Sequence, residues 1–364
     1  MNIIMVSIDF PPIPGGISAH VYELSKALTK LGHKVTIITR RNTRDEKPVY
    51  FKDTIRIYKI KLKIAGIFYG IQINNFIKKK LSLLKPDIIH IHGLRPLEWH
   101  NIKNPPLSYT NHTSGYLKKI EKNNSIKIAL LKRLFKKPKL FIAPSKELLN
   151  VPFDIDAKKF FITNGVDSIK YGFDQTARNK LRKKLKIEDN IKLGILTRRL
   201  EEKNGVIYLA KAAKHIKNPD IKFLIIGDGK EKKKIKNAFN QSFPNRFIML
   251  GEKEHDEIAP YYSAADFSIL PSLMEATSIS GLEAMSSFLP IVGTDTGGIP
   301  DIIKDGYNGY LCKKADEYDL AEKIDLLLSQ NYKELGKNSR KLIKEKFTWE
   351  QIAKKTVKAY ETII

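Results

Sequence analysis

Short apolar runs alternate along the chain with longer stretches in which apolar residues recur at helical spacing. Asn2 to Ile8 and Lys34 to Thr39 have the length and composition of buried parallel strands. Between them, Ile17 to Leu31 predicts a helix that ends before Gly32. A variable stretch without clear periodicity follows to about Ile60. This alternation predicts an α/β fold built on parallel sheets.

The same alternation continues to the end of the chain. The further predicted strands are a run through Ile91, Leu107 to Asn111, Lys139 to Ala143, Ile191 to Thr197, Ile221 to Ile226, Arg246 to Leu250, Asp266 to Leu270 and Pro290 to Gly293. The further predicted helices are Phe68 to Leu84, Thr176 to Lys186, three that begin near Gly205, Glu231 and Ser280, then Glu317 to Leu328, Tyr332 to Lys346 and Trp349 to Ile364. Asn164-Gly165 is a turn signal, so we expect a domain boundary there, and 364 residues suit two domains.

The segment PSLMEATSISGLEAM carries the most specific chemical signal. A strand that ends at Leu270 runs into a polar loop of small residues, and a helix begins at about Ser280. Free N–H groups at a helix start attract anions such as phosphate. Glu275 on the loop and Glu283 in the first helical turn offer paired acceptors to sugar hydroxyls. A nucleotide sugar presents both groups; the alternative is that Glu275 caps the loop and Glu283 complements the helix dipole.

Basic residues follow the first predicted strand of the second domain. Arg198, Arg199 and Lys203 stand where cations at a strand end can hold a diphosphate, arginine by its fork and lysine as a point charge. The alternative is a solvated basic turn, because Glu201 and Glu202 lie beside them.

Two features of the first domain lie at strand ends, where ligands collect in open α/β sheets. Gly15 and Gly16 separate the first strand from its helix, at the place where phosphates are cradled in such units. His112 follows a strand at its carboxyl end, and the alternative for it is a loop histidine bonded to backbone. His90 and His92 alternate along a strand, which favours core packing over ligation.

These segments together resemble the retaining glycosyltransferases of family 4 (glycosyl transferases group 1). PSLMEATSISGLEAM, with its Glu-x7-Glu spacing, resembles that family's donor-site signature, and TRRLEEKNG is similar to its Arg-x4-Lys pair. The resemblance implies the GT-B architecture, two Rossmann-like domains with parallel sheets facing a cleft. It further implies that residues 1–165 form the acceptor-side domain, completed by the helix of residues 349–364. Residues 166–348 would then bind the nucleotide-sugar donor.

The resemblance also implies roles for residues of this sequence. Arg198 and Lys203 would stabilise the leaving diphosphate, Glu275 would hold the sugar hydroxyls, Glu283 the ribose, and His112 would lie against the donor sugar. Arg199 stands where the family usually has an apolar residue. The catalytic candidates are Glu275, His112, Arg198 and Lys203. The donor-binding candidates are Gly15, Gly16, Arg198, Lys203, Leu250, Gly251, Glu275, Ile279, Ser280, Gly281 and Glu283.

The implied reaction moves a hexose-type sugar, with retention, from a nucleotide diphosphate sugar to a glycan or lipid-linked acceptor in the synthesis of cell-surface polysaccharide or glycolipid. It needs no cofactor and no metal. One alternative is an epimerase or phosphorylase on the same fold. Another is a basic nucleic-acid-binding protein, but the aromatic residues do not cluster with the lysines as stacking platforms would, so we predict no nucleic-acid partner.

The chain carries a net charge of +26, and most of this excess lies in the first half. Residues 1–165 contain 30 Lys and Arg against 11 Asp and Glu, whereas the remainder contains 35 against 28. A basic domain attracts anionic partners such as a membrane surface or a lipid phosphate. A general bias toward Lys, Ile and Asn explains the charge equally well.

Lys118 to Lys139 has the pattern of a basic amphipathic helix. Its apolar positions at helical spacing are Ile126, Leu130, Leu131 and Leu134. Such a helix either lies on an anionic membrane or packs as an ordinary surface helix, and we favour the surface helix.

The remaining chemistry-bearing residues restrict the function further. Cys312 is alone, which excludes an intramolecular disulfide and predicts a core position. The eight histidines offer no HExxH or close His/Cys cluster, so no metal site is predicted, and Asp154-x-Asp156 lies in a connecting stretch. Ile64 to Ile73 is far too short to span a bilayer. Met1 to Phe10 lacks the features of a signal peptide, so we expect a cytoplasmic protein, with peripheral attachment at the inner membrane face as a further expectation.

Overall fold

The chain forms two compact units. The computed structural model describes residues 1–11, 13, 15–41, 46–61, 68–112 and 125–364. The first unit comprises Met1–Gly165 and Trp349–Ile364, and the second comprises Val166–Thr348. Each unit has its own sheet. All neighbouring strands are parallel except one pair in the first unit. The predicted fold class, two parallel-sheet α/β domains, is confirmed.

The first unit has, within its described residues, an eight-stranded sheet. Its strands are β1 (Asn2–Ser7), β2 (Lys34–Arg40), β3 (Val49–Lys52), β4 (Ile55–Ile60), β5 (Ile88–His92), β6 (Leu107–Thr110), β7 (Leu140–Ala143) and β8 (Lys158–Phe161). The spatial order is β3-β4-β2-β1-β5-β6-β7-β8, and β3 alone runs antiparallel to its neighbour. The central strand β1 is almost entirely buried, which explains its continuous apolar sequence.

Helices cover this sheet, and the last one comes from the end of the chain. They are α1 (Gly16–Lys30), α2 (Tyr69–Leu84), α3 (Leu94–Glu98), α4 (Ser125–Phe135), α5 (Lys146–Leu149) and α13 (Trp349–Glu361). Ile352, Ala353 and Tyr360 of α13 lie in the same buried cluster as Val21 and Leu24 of α1. The first unit therefore draws part of its core from both ends of the sequence.

The second unit, whose residues are all described, has a six-stranded parallel sheet. Its strands are β9 (Lys192–Thr197), β10 (Ile221–Ile226), β11 (Phe247–Gly251), β12 (Phe267–Leu270), β13 (Ile291–Thr294) and β14 (Gly309–Cys312), in the order β11-β10-β9-β12-β13-β14. Its helices are α6 (Gln175–Lys184), α7 (Val206–Ala212), α8 (Lys232–Ser242), α9 (Ala259–Ala264), α10 (Ile279–Ser286), α11 (Glu317–Ser329) and α12 (Tyr332–Leu342), the last followed by a π-helical turn (Ile343–Phe347).

Both faces of this second sheet are covered. Along β10, Phe223 and Ile225 join one buried cluster, whereas Leu224 and Ile226 join the other. Successive strand residues point to opposite faces, so a strand buried on both sides reads as a continuous apolar run. This is why the pattern predicted β9 to β13 to within one or two residues.

Three strands of the first unit were not predicted. β3 and β8 each have three of four residues exposed, so neither carries a buried face that a hydrophobic pattern could reveal. β4 follows β3 through a turn at Asp53 and Thr54, whose φ angles of 49° and 65° are unusual for these residue types. β4 nevertheless pairs in parallel with β2, so the variable stretch extends the sheet.

The basic stretch Lys118 to Lys139 is helical in part. Residues 118–124 lie outside the described residues, and α4 covers Ser125–Phe135. Leu131 and Leu134 are buried with Phe135, whereas Ile126 is 81% exposed and Leu130 is 52% exposed. At 3.6 residues per turn Leu130 lies at the margin of the face that Leu131, Leu134 and Phe135 share, and Ile126, about 140° from Leu131, lies outside it. The predicted apolar face is therefore only half buried.

Other expectations concern single residues and membrane spans. Cys312 is a buried free cysteine, as predicted. Asp154 and Asp156 are both exposed. Among the described residues, no helix combines the length and the hydrophobicity that crossing a bilayer requires.

Candidate functional site

The carboxyl ends of β9 and β12 lie side by side in the second sheet, and the loops after them carry the predicted polar residues. Arg198 follows β9 directly, and its backbone N–H continues the sheet by donating to the carbonyl of Ile226 at 3.0 Å. The loop after β12 leads through Glu275 to Ser278, the N-cap of α10. Two adjacent parallel strands thus bring segments about 80 residues apart in sequence to the same edge of the sheet.

Arg198 connects the two loops. Its Nη1 forms an ion pair with Oε2 of Glu275, and its Nη2 donates to Oγ of Ser278 at 3.1 Å. Both charged side chains are 12% exposed. The guanidinium Nε is buried and has no acceptor within the described part of the chain. Arg199, by contrast, is exposed, so Arg198 is the arginine that the fold directs toward Glu275.

A short 3₁₀ turn, Glu202–Asn204, places Lys203 against the same loop. The carbonyl of Lys203 accepts from the backbone N–H groups of Leu273 at 2.9 Å and Met274 at 3.2 Å. Gly205 follows with φ of 62°, and a Cβ there would lie 1.9 Å from the carbonyl oxygen of Pro271. This close approach requires glycine. The Lys203 side chain is exposed.

Backbone N–H groups at the start of α10 can also bind an anion. Ser278 Oγ accepts from the N–H of Gly281 at 3.0 Å and so caps the helix. The N–H groups of Ile279 and Ser280 have no acceptor among the described residues. These amides carry the positive end of the helix dipole. Together with Arg198, they form a region suited to a phosphate group.

Glu283 lies one turn further along α10 and is held by two partners. Its side chain is 5% exposed. Oε1 accepts from His255 Nε2 at 2.7 Å, and Oε2 accepts from the hydroxyl of Tyr262 at 3.1 Å. The hydrogen bond to Glu283 raises the pKa of His255, and burial raises the pKa of Tyr262 well above its ordinary value. Glu283 therefore does more than complement a helix dipole.

Leu250 and Gly251 end strand β11 at the same edge of the sheet, and both are partly exposed. Gly251 has φ of 72°, and its carbonyl accepts from the N–H of Gly227 at 2.7 Å. The strand end is therefore fixed by backbone bonds, with open space where a side chain would stand at Gly251. A flat ligand group can approach the backbone there.

The remaining predicted residues belong to the first unit. Gly15 and Gly16 are exposed at the start of the 15-residue helix α1. His112 lies at the end of β6 and is bonded to a second histidine: its Nε2 lies 2.9 Å from Nδ1 of His92, and the two rings stack. His20 meets the edge of the His112 ring, with centroids 4.7 Å apart.

Burial governs the protonation of this histidine group. It lowers the pKa of His20 to about 4 and that of His90 to about 3, and it holds those of His92 and His112 well below their ordinary value. Neighbouring histidines add to the effect for His90, His92 and His112. His90 bonds Tyr360 and Thr110, each at 2.6 Å. Burial of His90 and His92 confirms a core position for both.

The expectation that the chain holds no close histidine cluster is wrong. Ligand atoms of His20, His92 and His112 all lie within 4.8 Å of one another, close enough to share a metal ion. Sequence spacing could not show this, because the three come from α1, β5 and the end of β6. Neutral imidazoles are suitable ligands, but one nitrogen each of His92 and His112 is engaged in their mutual hydrogen bond. Metal-independent function stays a prediction.

Several residues of these sites were not predicted. His255, Tyr262 and Ser278 contact predicted residues directly, and His20 and His92 surround His112. Ser278 had a signal, since it precedes the helix and caps are usually Ser, Thr, Asp or Asn. His255 and Tyr262 had no such signal in the sequence. The contact of His255 with Glu283 depends on how the loop after β11 packs, and that of Tyr262 depends on how α9 packs.

Comparison with known proteins gives consistent results. A model described as Glycosyltransferase Family 4 matches residues 14–168, and one described as Glycosyl transferases group 1 matches residues 177–346. The chain is 29% identical over 372 residues to an uncharacterized glycosyltransferase of Methanocaldococcus jannaschii, covering 100% of this chain and 99% of the relative. It is 25% identical to alpha-monoglucosyldiacylglycerol synthase of Acholeplasma laidlawii, covering 87% and 86% of the two chains.

The fold is similar to solved structures as well. Anabaena Alr3699/HepE, solved in complex with UDP, matches with a TM-score of 0.81 at 18% identity, and the match covers 100% of both chains. The same Anabaena protein has also been solved with UDP-glucose.

Proposed function

Because the chain belongs to the family 4, group 1 glycosyltransferases and has their GT-B fold of two parallel-sheet domains, we propose that it is a retaining hexosyltransferase that uses a nucleoside diphosphate sugar. The observation that carries the donor assignment is the Arg198 fork. It binds Glu275 and Ser278, the N-cap of α10, while its own Nε donor and the first two amides of α10 have no acceptor among the described residues. A diphosphate supplies the acceptors that these donors lack.

The chemistry follows from where charge develops. When the bond between the anomeric carbon and the diphosphate oxygen breaks, negative charge grows on the leaving phosphate. Donors that are already oriented there lower the barrier most effectively. Arg198 and Lys203 supply positive charge, and the amides of Ile279 and Ser280 supply hydrogen bonds. In this scheme no metal is required to neutralise the diphosphate.

Glu275 holds the hydroxyls of the transferred sugar, and Glu283 holds the ribose. Glu275 is paired with Arg198 on one oxygen, and each carboxylate oxygen accepts more than one bond. The described site has no side chain with an evident role as nucleophile toward the anomeric carbon. We therefore favour same-face attack: the acceptor oxygen bonds to the anomeric carbon as the diphosphate leaves, and a departing phosphate oxygen takes the acceptor's proton.

The roles of His112, Gly15 and Gly16 as donor contacts, and of Leu250 and Gly251 near the base, stay predictions from the family resemblance. The same holds for the acceptor. A lipid-linked or glycan acceptor is supported by the basic excess of residues 1–165. It is also supported by the name of the Acholeplasma relative, a synthase of a glucosyldiacylglycerol.

A calorimetric panel of UDP-, GDP- and ADP-sugars tests the donor assignment. We expect one nucleotide class to bind. In Glu275→Gln, sugar transfer should fall strongly while nucleotide affinity persists, because this residue acts on the sugar. Lys203→Ala should weaken turnover, whereas Lys214→Ala, an exposed lysine of the same unit, should not.

Two results would contradict the proposal. The first is that no nucleoside diphosphate or its sugar binds. The second is that free nucleotide is released at the same rate with and without candidate acceptors, which would favour an epimerase or a hydrolytic activity. Unchanged transfer in Glu275→Gln would remove that residue from the scheme.

A further inference from the structure

The carboxylate of Glu283 is anchored at both oxygens. His255 Nε2 binds Oε1 at 2.7 Å from one side, and the Tyr262 hydroxyl binds Oε2 at 3.1 Å from the other. A carboxylate has about four lone-pair positions. The Tyr171 hydroxyl is a further hydrogen-bond partner of this carboxylate. The anchored oxygens therefore keep capacity for a further donor, and both are fixed in space.

The two anchors differ in accessibility. Tyr262 is fully buried in α9, and its hydroxyl also contacts Thr197 and the carbonyl of Ser280. The His255 side chain is 60% exposed, while that of Glu283 is 5% exposed. His255 therefore forms the boundary between the buried carboxylate and the outside of the protein.

His255 is itself held in place. It begins the 3₁₀ turn His255–Glu257, which is closed by a capping box between Glu254 and Glu257. The Tyr171 hydroxyl lies 3.0 Å from His255 Nε2, and the two rings meet edge to face. The imidazole thus has a fixed position independent of Glu283. A fixed donor at Oε1 prevents the Glu283 carboxylate from turning about its terminal bond.

We propose that His255 is a positioning residue for ribose recognition: it sets the plane of the Glu283 carboxylate so that both oxygens accept the adjacent 2′- and 3′-hydroxyls of the donor nucleotide. This inference rests on the proposed nucleotide-sugar function. A vicinal diol requires two acceptors in one plane with fixed separation. Without His255, Oε1 is free to rotate away, and the second hydroxyl loses its acceptor.

The test compares ribo- and 2′-deoxyribonucleotides. The probe is whichever of UDP, GDP and ADP the wild-type protein binds, together with its 2′-deoxy counterpart, measured by calorimetry. We expect the wild type to prefer the ribonucleotide by about tenfold, the value of one hydrogen bond to a charged group. In His255→Ala the ribonucleotide should bind about tenfold more weakly while the 2′-deoxynucleotide changes little, so the preference disappears.

Two further variants separate positioning from folding. His255→Gln places an amide donor near Oε1 and should restore much of the ribose preference. His215→Ala, which removes a histidine packed on Tyr318 of the same unit, should leave it unchanged. Thermal unfolding of each variant confirms that the fold is intact.

A ribose preference that persists in His255→Ala, while the wild type binds and discriminates, would overturn the positioning role and leave the proposed function standing. Equal weakening of both nucleotides in His255→Ala would also overturn it. Failure of the wild type to bind any of the three diphosphates would overturn the proposed function and this inference together.

Discussion

At the scale of single residues, the three nitrogens of Arg198 have three different environments. Nη1 is paired with Glu275, Nη2 donates to Ser278, and Nε is buried without an acceptor in the described part of the chain. A planar guanidinium can serve the loop, the helix cap and an anion at once, whereas an ammonium is a single compact charge. Arg198 therefore connects the loop to the helix cap and also supplies positive charge.

Replacing Arg198 with lysine tests this fork. Arg198→Lys keeps the charge but loses the simultaneous contacts, so we expect nucleoside diphosphate affinity to fall about tenfold. Arg199→Lys is the matched control, because Arg199 is exposed. This variant should bind nucleotide as the wild type does. Isothermal titration of both variants measures the difference. Equal losses in the two variants would contradict the assignment of Arg198.

At the scale of elements, the 3₁₀ turn that carries Lys203 depends on one glycine. Gly205 has φ of 62° and no room for a Cβ, because the carbonyl oxygen of Pro271 would lie 1.9 Å away. The same approach allows the Lys203 carbonyl to accept from Leu273 and Met274. Backbone hydrogen bonds thus hold the turn to the loop before Glu275.

Gly205→Ala should separate these two segments. Gly306 has a similar φ of 71° with nothing within 4 Å of a Cβ, so Gly306→Ala gives the cost of the left-handed conformation by itself, roughly 1 kcal/mol. We expect Gly205→Ala to cost about 2 kcal/mol more, because the amide bonds of Leu273 and Met274 are lost. Hydrogen exchange at those two amides and thermal unfolding measure this. Similar costs for the two variants would mean that the close approach is readily relieved.

Helix α4 presents another testable element. Ile126 and Leu130 are exposed on a helix whose last turn contains Lys132 and Arg133. Apolar side chains beside cations are suited to an anionic lipid surface. The prediction of peripheral attachment by the first unit can be tested on this helix.

Ile126→Asp should weaken binding to vesicles that contain phosphatidylglycerol about tenfold, since burying one such side chain is worth roughly 1.5–3 kcal/mol. Ile169→Asp is the control, because Ile169 is 92% exposed in the second unit. Flotation at low and high salt measures both variants. Absence of vesicle binding by the wild type at low salt would indicate that the basic excess is compositional.

The elements that the sequence predicts well are those buried on two faces. β10 is apolar except for Lys222 and was placed at its observed bounds, whereas the exposed edge strands β3 and β8 left no pattern. Glu275, Glu283 and Arg198 were named as candidates because they lie in short motifs. His255 was not, since its contact with Glu283 is made across 28 residues by the packing of a loop.

At the scale of the whole molecule, the two units respond to acid with opposite sign. His255 in the second unit has a pKa raised by Glu283. The contact between His255 and Glu283 contributes fully to stability below about pH 6.5. This contribution is lost as the pH rises through the raised pKa of His255. His20 and His90 in the first unit have pKa values lowered by burial to about 4 and about 3. In the unfolded chain these histidines bind protons at a higher pH than they do in the folded unit. The first unit therefore loses stability as the pH falls below about 6.5.

The first unit should therefore unfold before the second on acidification. Each pH unit costs about 1.4 kcal/mol for each such histidine, so two of them between pH 6.5 and 4.5 remove on the order of 5 kcal/mol, comparable with the stability of a whole domain. The two tryptophans of the chain, Trp99 and Trp349, both belong to the first unit, and Trp349 contacts the His20 ring. Tryptophan fluorescence thus follows the first unit, while hydrogen exchange of β9 to β14 follows the second.

We expect the fluorescence transition to occur between pH 6.5 and 4 while strands of the second unit stay protected. His20→Gln keeps a partner for Asn164, to which His20 Nδ1 is bonded at 2.6 Å, but removes the proton-binding ring, so its acid midpoint should move to lower pH. A single transition in which both units lose protection together, or an unchanged midpoint in His20→Gln, would show that the buried histidines do not govern the acid stability of the first unit.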